Sequence, residues 1–198
     1  MEIPHLLFDA EPFEIDPAMV RIASNPANFK FLSNCAPGAG IVIGDARVSL
    51  TREPAGRMDL LAVDAFSSDA VPMHLLTREA LDTYARVLQP EGLLLIHISN
   101  RYLDLEPVLA AAQQRDGWTA MVNAYTPGSD EGGQNLSSSV WVAMARSPRA
   151  IEALRAASGA DAPSWRPLVL RKGFPGWTDD YASILPLLED WRNWVPTE

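Results

Sequence analysis

Apolar positions along the chain switch between continuous runs and helical repeats, and this alternation predicts an α/β fold. Gly40-Ile-Val-Ile-Gly-Asp45 is a β-branched run closed by glycine, and Met58-Asp-Leu-Leu-Ala-Val-Asp64 is a second run that ends on an acid. Both predict buried strands, because strands covered on two faces read as near-continuous apolar stretches. Beyond a loop at Ala65 to Pro72, residues Leu76, Ala80, Leu81, Tyr84, Val87 and Leu88 recur at helical spacing within Leu75 to Leu88. Thr77 is placed to cap that helix, without a full capping box behind it. Pro90-Glu-Gly92 predicts the stop and Leu93-Leu-Leu-Ile-His-Ile98 a third buried strand, so that strand, helix and strand form one right-handed crossover.

Farther along, Glu106 to Arg115 predicts an alanine-rich helix with Pro107 acceptable in its first turn. Trp118 to Thr126 and Ser138 to Ala145 read as two strands joined by a loop rich in Gly, Ser and Asp, suited to an antiparallel hairpin at one sheet edge. Arg149 to Ala157 predicts a surface helix, Ser158 to Pro163 a linker, and Trp177 to Trp191 a terminal segment of helical character. Near the start, Phe13-Glu-Ile-Asp-Pro17 ends a short apolar segment, and Ala18 to Ala23 has helical spacing.

A length of 198 residues suits one domain, and 47% apolar residues with no low-complexity tract predict that it folds. The net charge of -9 argues against a nucleic-acid partner, whose binding needs clustered Lys and Arg; it agrees with a cationic small molecule, although by itself it reads first as simple solubility. The single cysteine, Cys35, excludes an internal disulfide and a cysteine-rich metal site, which fits a cytoplasmic location. Leu93 to Ile96 is too short to cross a bilayer, and Met1 to Asp9 lacks the features of a signal peptide.

In an open parallel sheet, ligands bind beyond the carboxyl ends of the strands. Polar residues at predicted strand ends are Glu14 and Asp16, then Asp45, then Asp64 with Asp69, and finally His97, Ser99, Asn100, Arg101 and Tyr102. Each group has two open readings. Glu14 or Asp16 accepts the ribose hydroxyls of a nucleoside, or sits at a helix N-terminus near its dipole. Asp45, in the turn Gly44-Asp-Ala46, accepts a hydrogen bond from an adenine amine, or belongs to an ordinary strand-ending turn. Asp64 and Asp69 flank a small polar loop and bind or deprotonate an ammonium group, or are part of a solvated loop. His74 and His97 lack zinc spacing, and His97 reads as a strand-end hydrogen-bonding residue. The six tryptophans read as core or interface anchors, and Ser67 and Ser68 lack a nucleophile elbow.

Glu14-Ile-Asp16, Gly44-Asp-Ala-Arg47, Asp64 to Pro72, Leu75-Leu-Thr-Arg-Glu79, His97-Ile-Ser-Asn-Arg-Tyr102 and Trp177-Thr-Asp-Asp-Tyr181 occur in the order and approximate spacing of spermidine synthase-like proteins. The chain resembles that family over roughly Phe13 to Trp191, most closely the soluble domain of bacterial forms fused to transporter helices. The resemblance implies a methyltransferase-type, Rossmann-like, mostly parallel sheet. It also implies aminopropyl transfer from decarboxylated S-adenosylmethionine to a small amine such as putrescine, with no metal and no tightly bound cofactor. By position Asp64 matches the family's base and Asp69 its second acid, Glu14 or Asp16 the ribose ligand, and Asp45, framed by Gly44 and Ala46, the adenine contact. Two other functions keep the same fold: a non-catalytic ligand- or partner-binding descendant, and a methyltransferase using S-adenosylmethionine itself.

The sequence departs from the family pattern in two places. Four residues separate Asp64 from Asp69, and Ala70-Val71 precede Pro72. The family's first strand and glycine-rich nucleotide loop have no counterpart before Phe13, so the sequence reads as truncated there. Ile3 to Phe8 can supply at most a hairpin or edge strand, since a parallel crossover needs a dozen or more residues. The expectation is therefore a homodimer in which a second copy covers the Phe13 and Met58 strands, or a compacted sheet in which those two strands become neighbours, with poor nucleoside affinity in either case.

Overall fold

The computed structural model describes residues 11–65, 72–127, 137–158 and 164–188. The chain divides into two compact units, Met1–Glu53 and Pro54–Glu198.

In the first unit, strand β1 (Phe13–Glu14) pairs in parallel with β2 (Val42–Ile43), Phe13 opposite Val42 and Glu14 opposite Ile43. Helices α1 (Pro17–Ala23) and α2 (Phe31–Cys35) lie between them in sequence, and α3 (Ala46–Leu50) follows β2. The Gly40 to Asp45 run thus contains only a two-residue strand, and Ile43 is exposed rather than buried. Among the described residues of this unit only Ser49 and Leu50 are buried.

The second unit carries the core. Its sheet has the order β3 (Met58–Val63), β4 (Leu88–His97), β6 (Ser139–Ala145), β5 (Thr119–Tyr125), β7 (Arg166–Pro167). Strand β4 runs parallel to β3, β6 is antiparallel to both β4 and β5, and β7 is antiparallel to β5. Consequently β3, β4 and β5 point one way, with β6 wedged in the opposite sense. The predicted hairpin forms, but two-residue β7 lies outside it. In β3 only Leu61 and Val63 are buried; Leu60 is exposed, so this strand is covered on one face and not on two. The Phe13 and Met58 strands belong to separate sheets, β1 paired with β2 and β3 with β4.

Helix α4 (Arg78–Val87) buries Ala80, Leu81, Tyr84 and Val87 on one face and is capped by Thr77, whose Oγ1 accepts the Ala80 N–H at 3.3 Å. It ends at Val87, and Leu88 is already the first residue of β4. The stop therefore precedes Pro90, because a proline disfavours helical backbone in the residue before it and clashes with the carbonyl four back. Pro90 nonetheless lies inside a strand. Met58 faces Leu88 and Leu60 faces Leu93, so two steps along β3 oppose five along β4, and the extra residues leave the ladder where no proline N–H is needed. Gly92 closes this bulge: a Cβ there would stand 2.9 Å from the Gln89 carbonyl oxygen.

From Leu93 onward β4 alternates. Leu94, Ile96 and Ile98 are buried, while Leu93, Leu95, His97 and Ser99 lie half-buried on the other face. On that second face, α6 (Pro148–Ala157) packs Ile151 and Leu154 with Leu93, Leu95, Ala143 and Ala145. Helix α5 (Glu106–Asp116) buries Pro107 to Ala112 and ends on Gly117 in the left-handed region, φ 72°. The Trp177 to Trp191 segment holds no α-helix among its described residues, only a short 3-10 turn at Leu185–Leu187. Trp177 there is fully buried and fixes the segment by tertiary contacts instead.

Glu106 at the start of α5 clamps the sheet edge. Its two oxygens receive Arg166 Nη1 and Nη2 at 2.7 and 2.8 Å, and Oε1 also receives the Val169 N–H at 2.6 Å. Burial pushes this carboxyl up, but the Arg166 hydrogen bonds, the Val169 N–H and the Arg166 charge outweigh it and hold Glu106 below the usual range. A carboxyl depressed in the folded state adds stability above its ordinary range, from about pH 4 upward, and that stability is lost as pH falls through the folded value. Glu106→Gln is expected to cost about 1–2 kcal/mol at pH 7, charged hydrogen bonds being discounted because Arg166 is half exposed. Denaturant midpoints should show the gap between wild type and variant narrowing below pH 4.

Candidate functional site

Each acidic residue singled out in the first unit has a local backbone partner. Glu14 Oε1 accepts the Asp16 N–H at 2.8 Å, and Asp16 Oδ1, as the N-cap of α1, accepts the Ala18 N–H at 2.7 Å. Asp45 Oδ1 caps α3 through the Val48 N–H at 2.9 Å. Gly44 has φ 151°, and a Cβ there would lie 3.3 Å from Ser49 Oγ, so the backbone turns closely over the α3 start. Ala46 is the first residue of α3. A five-residue helix after Asp45 was not foreseen, since too few positions exist to show a period. The cap residue itself was its only signal.

In the second unit the carboxyl ends of β3 and β4 meet. Val63 and Ile96 are register partners in a parallel pair, so Asp64 and His97 follow as the next neighbours. His97 Nδ1 lies 2.7 Å from Asp64 Oδ1, and His97 Nε2 lies 2.6 Å from Ser99 Oγ. Ser99 Oγ in turn accepts the Val140 N–H at 2.7 Å, while the Ile98 N–H donates to the Val140 carbonyl at 2.9 Å. The Ser99 side chain thus takes the place of a backbone carbonyl at the end of the β4–β6 ladder. The His97 ring is stacked on Trp141, its cross-strand partner, with centroids 4.8 Å apart and planes 22° apart. The Asp64 side chain is 59% exposed and that of His97 23%, so the pair opens to solvent on the carboxylate side.

Asp69, the expected companion of Asp64, lies outside the described residues. Asn100 is a turn residue whose Oδ1 receives the Tyr102 and Leu103 N–H groups, both at 2.9 Å. Arg101 lies over the Tyr102 ring at 5.7 Å. Among the described residues no group of three or more His, Cys, Asp or Glu side chains is arranged to hold a metal ion, and no helix is long and apolar enough to cross a membrane. The Asp64–His97 pairing was missed because it depends on strand register. Its signal was present, since both residues directly follow or end runs of buried-strand character in one crossover unit.

No protein-family model and no curated protein matches the sequence. The structure is similar to that of a probable spermidine synthase from Corynebacterium glutamicum, with a TM-score of 0.52 and 17% identity, over 78% of this chain and 56% of that one. It is also similar to spermidine synthase from Thermotoga maritima, with a TM-score of 0.50 and 14% identity, over 71% of this chain and 46% of that one. The chain therefore spans about half the length of these solved structures. Its fold is spermidine synthase-like: an α/β architecture of strands sharing one direction, extended by antiparallel strands.

Proposed function

We infer that the chain is the transferase part of an aminopropyltransferase, moving an aminopropyl group from decarboxylated S-adenosylmethionine to a small primary amine such as putrescine. The observation that carries this reading is the carboxylate of Asp64 at the carboxyl end of β3, partly exposed and hydrogen-bonded to His97, in a spermidine synthase-like fold. The amine lone pair attacks the methylene carbon beside the sulfonium. The carbon–sulfur bond breaks, its electron pair returns to sulfur, and methylthioadenosine leaves as a neutral thioether. The attacking nitrogen must shed a proton, because ammonium has no lone pair, and the acidic group at this strand end, Asp64 with Asp69, is assigned to promoting that loss.

The ribose is assigned to Glu14 or Asp16 and the adenine to Asp45, beside Gly44 and Ala46. Their capping roles are compatible with this, since a carboxylate has two oxygens and several acceptor positions. These assignments and that of Asp64 belong to different units and are tested separately. Calorimetric titration of the chain with decarboxylated S-adenosylmethionine, S-adenosylmethionine and methylthioadenosine should show saturable binding of the first and third. Product masses after incubation with each donor and putrescine should reveal aminopropyl transfer only. Methyl transfer from S-adenosylmethionine would replace this reading with a methyltransferase, and binding of none of the three would remove the transferase reading.

A further inference from the structure

We propose that the proton taken up at the carboxyl ends of β3 and β4 is held by His97, with Asp64 fixing its tautomer and the Ser99 hydroxyl serving as the point of entry. This rests on the transferase reading and names the atoms that perform its proton step.

The argument begins at the two ends of the hydrogen-bond chain, where the roles are fixed. The Val140 backbone N–H can only donate, so Ser99 Oγ accepts there and its own hydrogen is left to point elsewhere. At the other end, an ionised carboxylate can only accept, so His97 carries its hydrogen on Nδ1, facing Asp64 Oδ1 at 2.7 Å. In the neutral ring Nε2 is then an acceptor, and the Ser99 hydroxyl donates to it across 2.6 Å. Trp141, stacked at 4.8 Å, holds the ring plane so that both nitrogens stay aligned with their partners. Nucleophile-and-base systems use the same logic, in which a carboxylate orients an imidazole whose far nitrogen faces a hydroxyl.

The chemistry follows from this polarity. One oxygen of Asp64 is occupied by the imidazole N–H. The lone pair on Nε2 is the acceptor that faces the Ser99 hydroxyl. A substrate ammonium at Ser99 gives a proton to Oγ while the Ser99 hydrogen passes to Nε2. The amine keeps its lone pair for the attack on carbon. The imidazolium that results donates from Nδ1 to Asp64 and from Nε2 back to Ser99, a charge pair that the exposed side of Asp64 keeps hydrated. Release of the same proton to water resets the chain, so no further reactant is required.

Imidazole nitrogen spectra of the full-length, nitrogen-15-labelled protein test the hydrogen-bond chain without any substrate, the His97 ring being assigned through its contacts with Trp141. The expected wild-type signature is the Nδ1–H tautomer, lost to a mixture in Asp64→Ala. An Nε2–H tautomer in the wild type would overturn the proposal even if aminopropyl transfer is observed. In the transfer assay, His97→Gln and Ser99→Ala are each expected to lower kcat by about 10²-fold or more, with donor KM within about twofold, and Ser99→Thr should restore most of the loss by returning a hydroxyl. Equal loss in Ser99→Thr and Ser99→Ala, or full activity in Ser99→Ala, would overturn the relay. A wild-type chain that shows the Nδ1–H tautomer but no turnover would overturn the transferase reading, and the relay's role in it, while leaving the hydrogen-bond chain established.

Discussion

Asp64→Asn is expected to lower aminopropyl turnover by about 10²–10⁴-fold, the range for impaired general-base catalysis, while donor affinity and folding stay close to wild type. The substitution keeps the size of a side chain that is 59% exposed, so no cavity or buried unpaired charge is created. Asp45 should behave in the opposite way. Its carboxylate has a structural duty as the N-cap of α3, worth about 1 kcal/mol, and Asp45→Ala would mix that loss with any loss of ligand. Asp45→Ser separates them, because serine is an equally good cap but has no charge. It should weaken binding of methylthioadenosine by roughly 10- to 150-fold, corresponding to a charged hydrogen bond of about 1.5–3 kcal/mol, with the unfolding midpoint unchanged. Paired measurements of kcat, ligand Kd and unfolding midpoint on the two variants decide the assignments. Equal and small effects of both would dismiss them.

Trp177→Ala is expected to be the most damaging single change in the second unit, costing about 3–5 kcal/mol. Trp177 is 1% exposed, its Nε1 donates to the Ser183 carbonyl at 3.0 Å, and its own carbonyl receives the Arg78 N–H at 2.9 Å. The neighbouring contacts converge on the same helix start: the Thr77 hydroxyl meets Asp179 Oδ1 at 2.7 Å, and the Asp179 N–H donates to Glu79 Oε2 at 2.9 Å. Removal of the indole therefore empties a core position and loosens the segment that covers the α4 N-terminus. Trp118 provides the contrast. It too is buried, but its Nε1 has no hydrogen-bond partner among the described residues, and Arg146 lies over its ring at 4.6 Å. Trp118→Phe should cost distinctly less than Trp177→Phe, which alone sacrifices a made hydrogen bond. Guanidinium unfolding with a constant slope is the appropriate measurement. A Trp177→Ala loss below about 1 kcal/mol would refute the anchoring role.

The elements that could be read from the sequence are those with enough residues to show a period or a cap. The α4 face, the Thr77 cap, the Glu106 helix and the two strands of the hairpin all carry such a signal, and all were found. The β2 strand and the α3 helix are two and five residues long, and nothing in so short a stretch separates strand, helix and turn. The terminal Trp177 segment failed for a different reason. Its apolar residues are spaced like a helix, but the segment is held to the start of α4 by single contacts of Trp177 and Asp179, about a hundred residues away in sequence. In the site, strand ends located Asp64 and His97 separately. Their partnership was not legible, because it arises from the offset between two strands, and the bulge at Pro90–Gly92 sets that offset.

The direct passage from α4 into β4 has its own consequence for how this protein can vary. With no connecting residue between Val87 and Leu88, both buried, the stretches on either side of the looped-out residues, Thr77 to Leu88 and Leu93 to His97, work as rulers of fixed length. One inserted residue on the helical side would swing the α4 contact face by about 100°. One inserted between Leu93 and His97 would invert the strand beyond it and send the imidazole into the layer now filled by Ile96 and Ile98. Tolerance of length changes is thus confined to the looped-out stretch at Gln89 to Glu91, where all three residues face solvent. Homologous chains that keep the Asp64–His97 pair should vary in length there while holding every other interval from Thr77 to Ser99 constant.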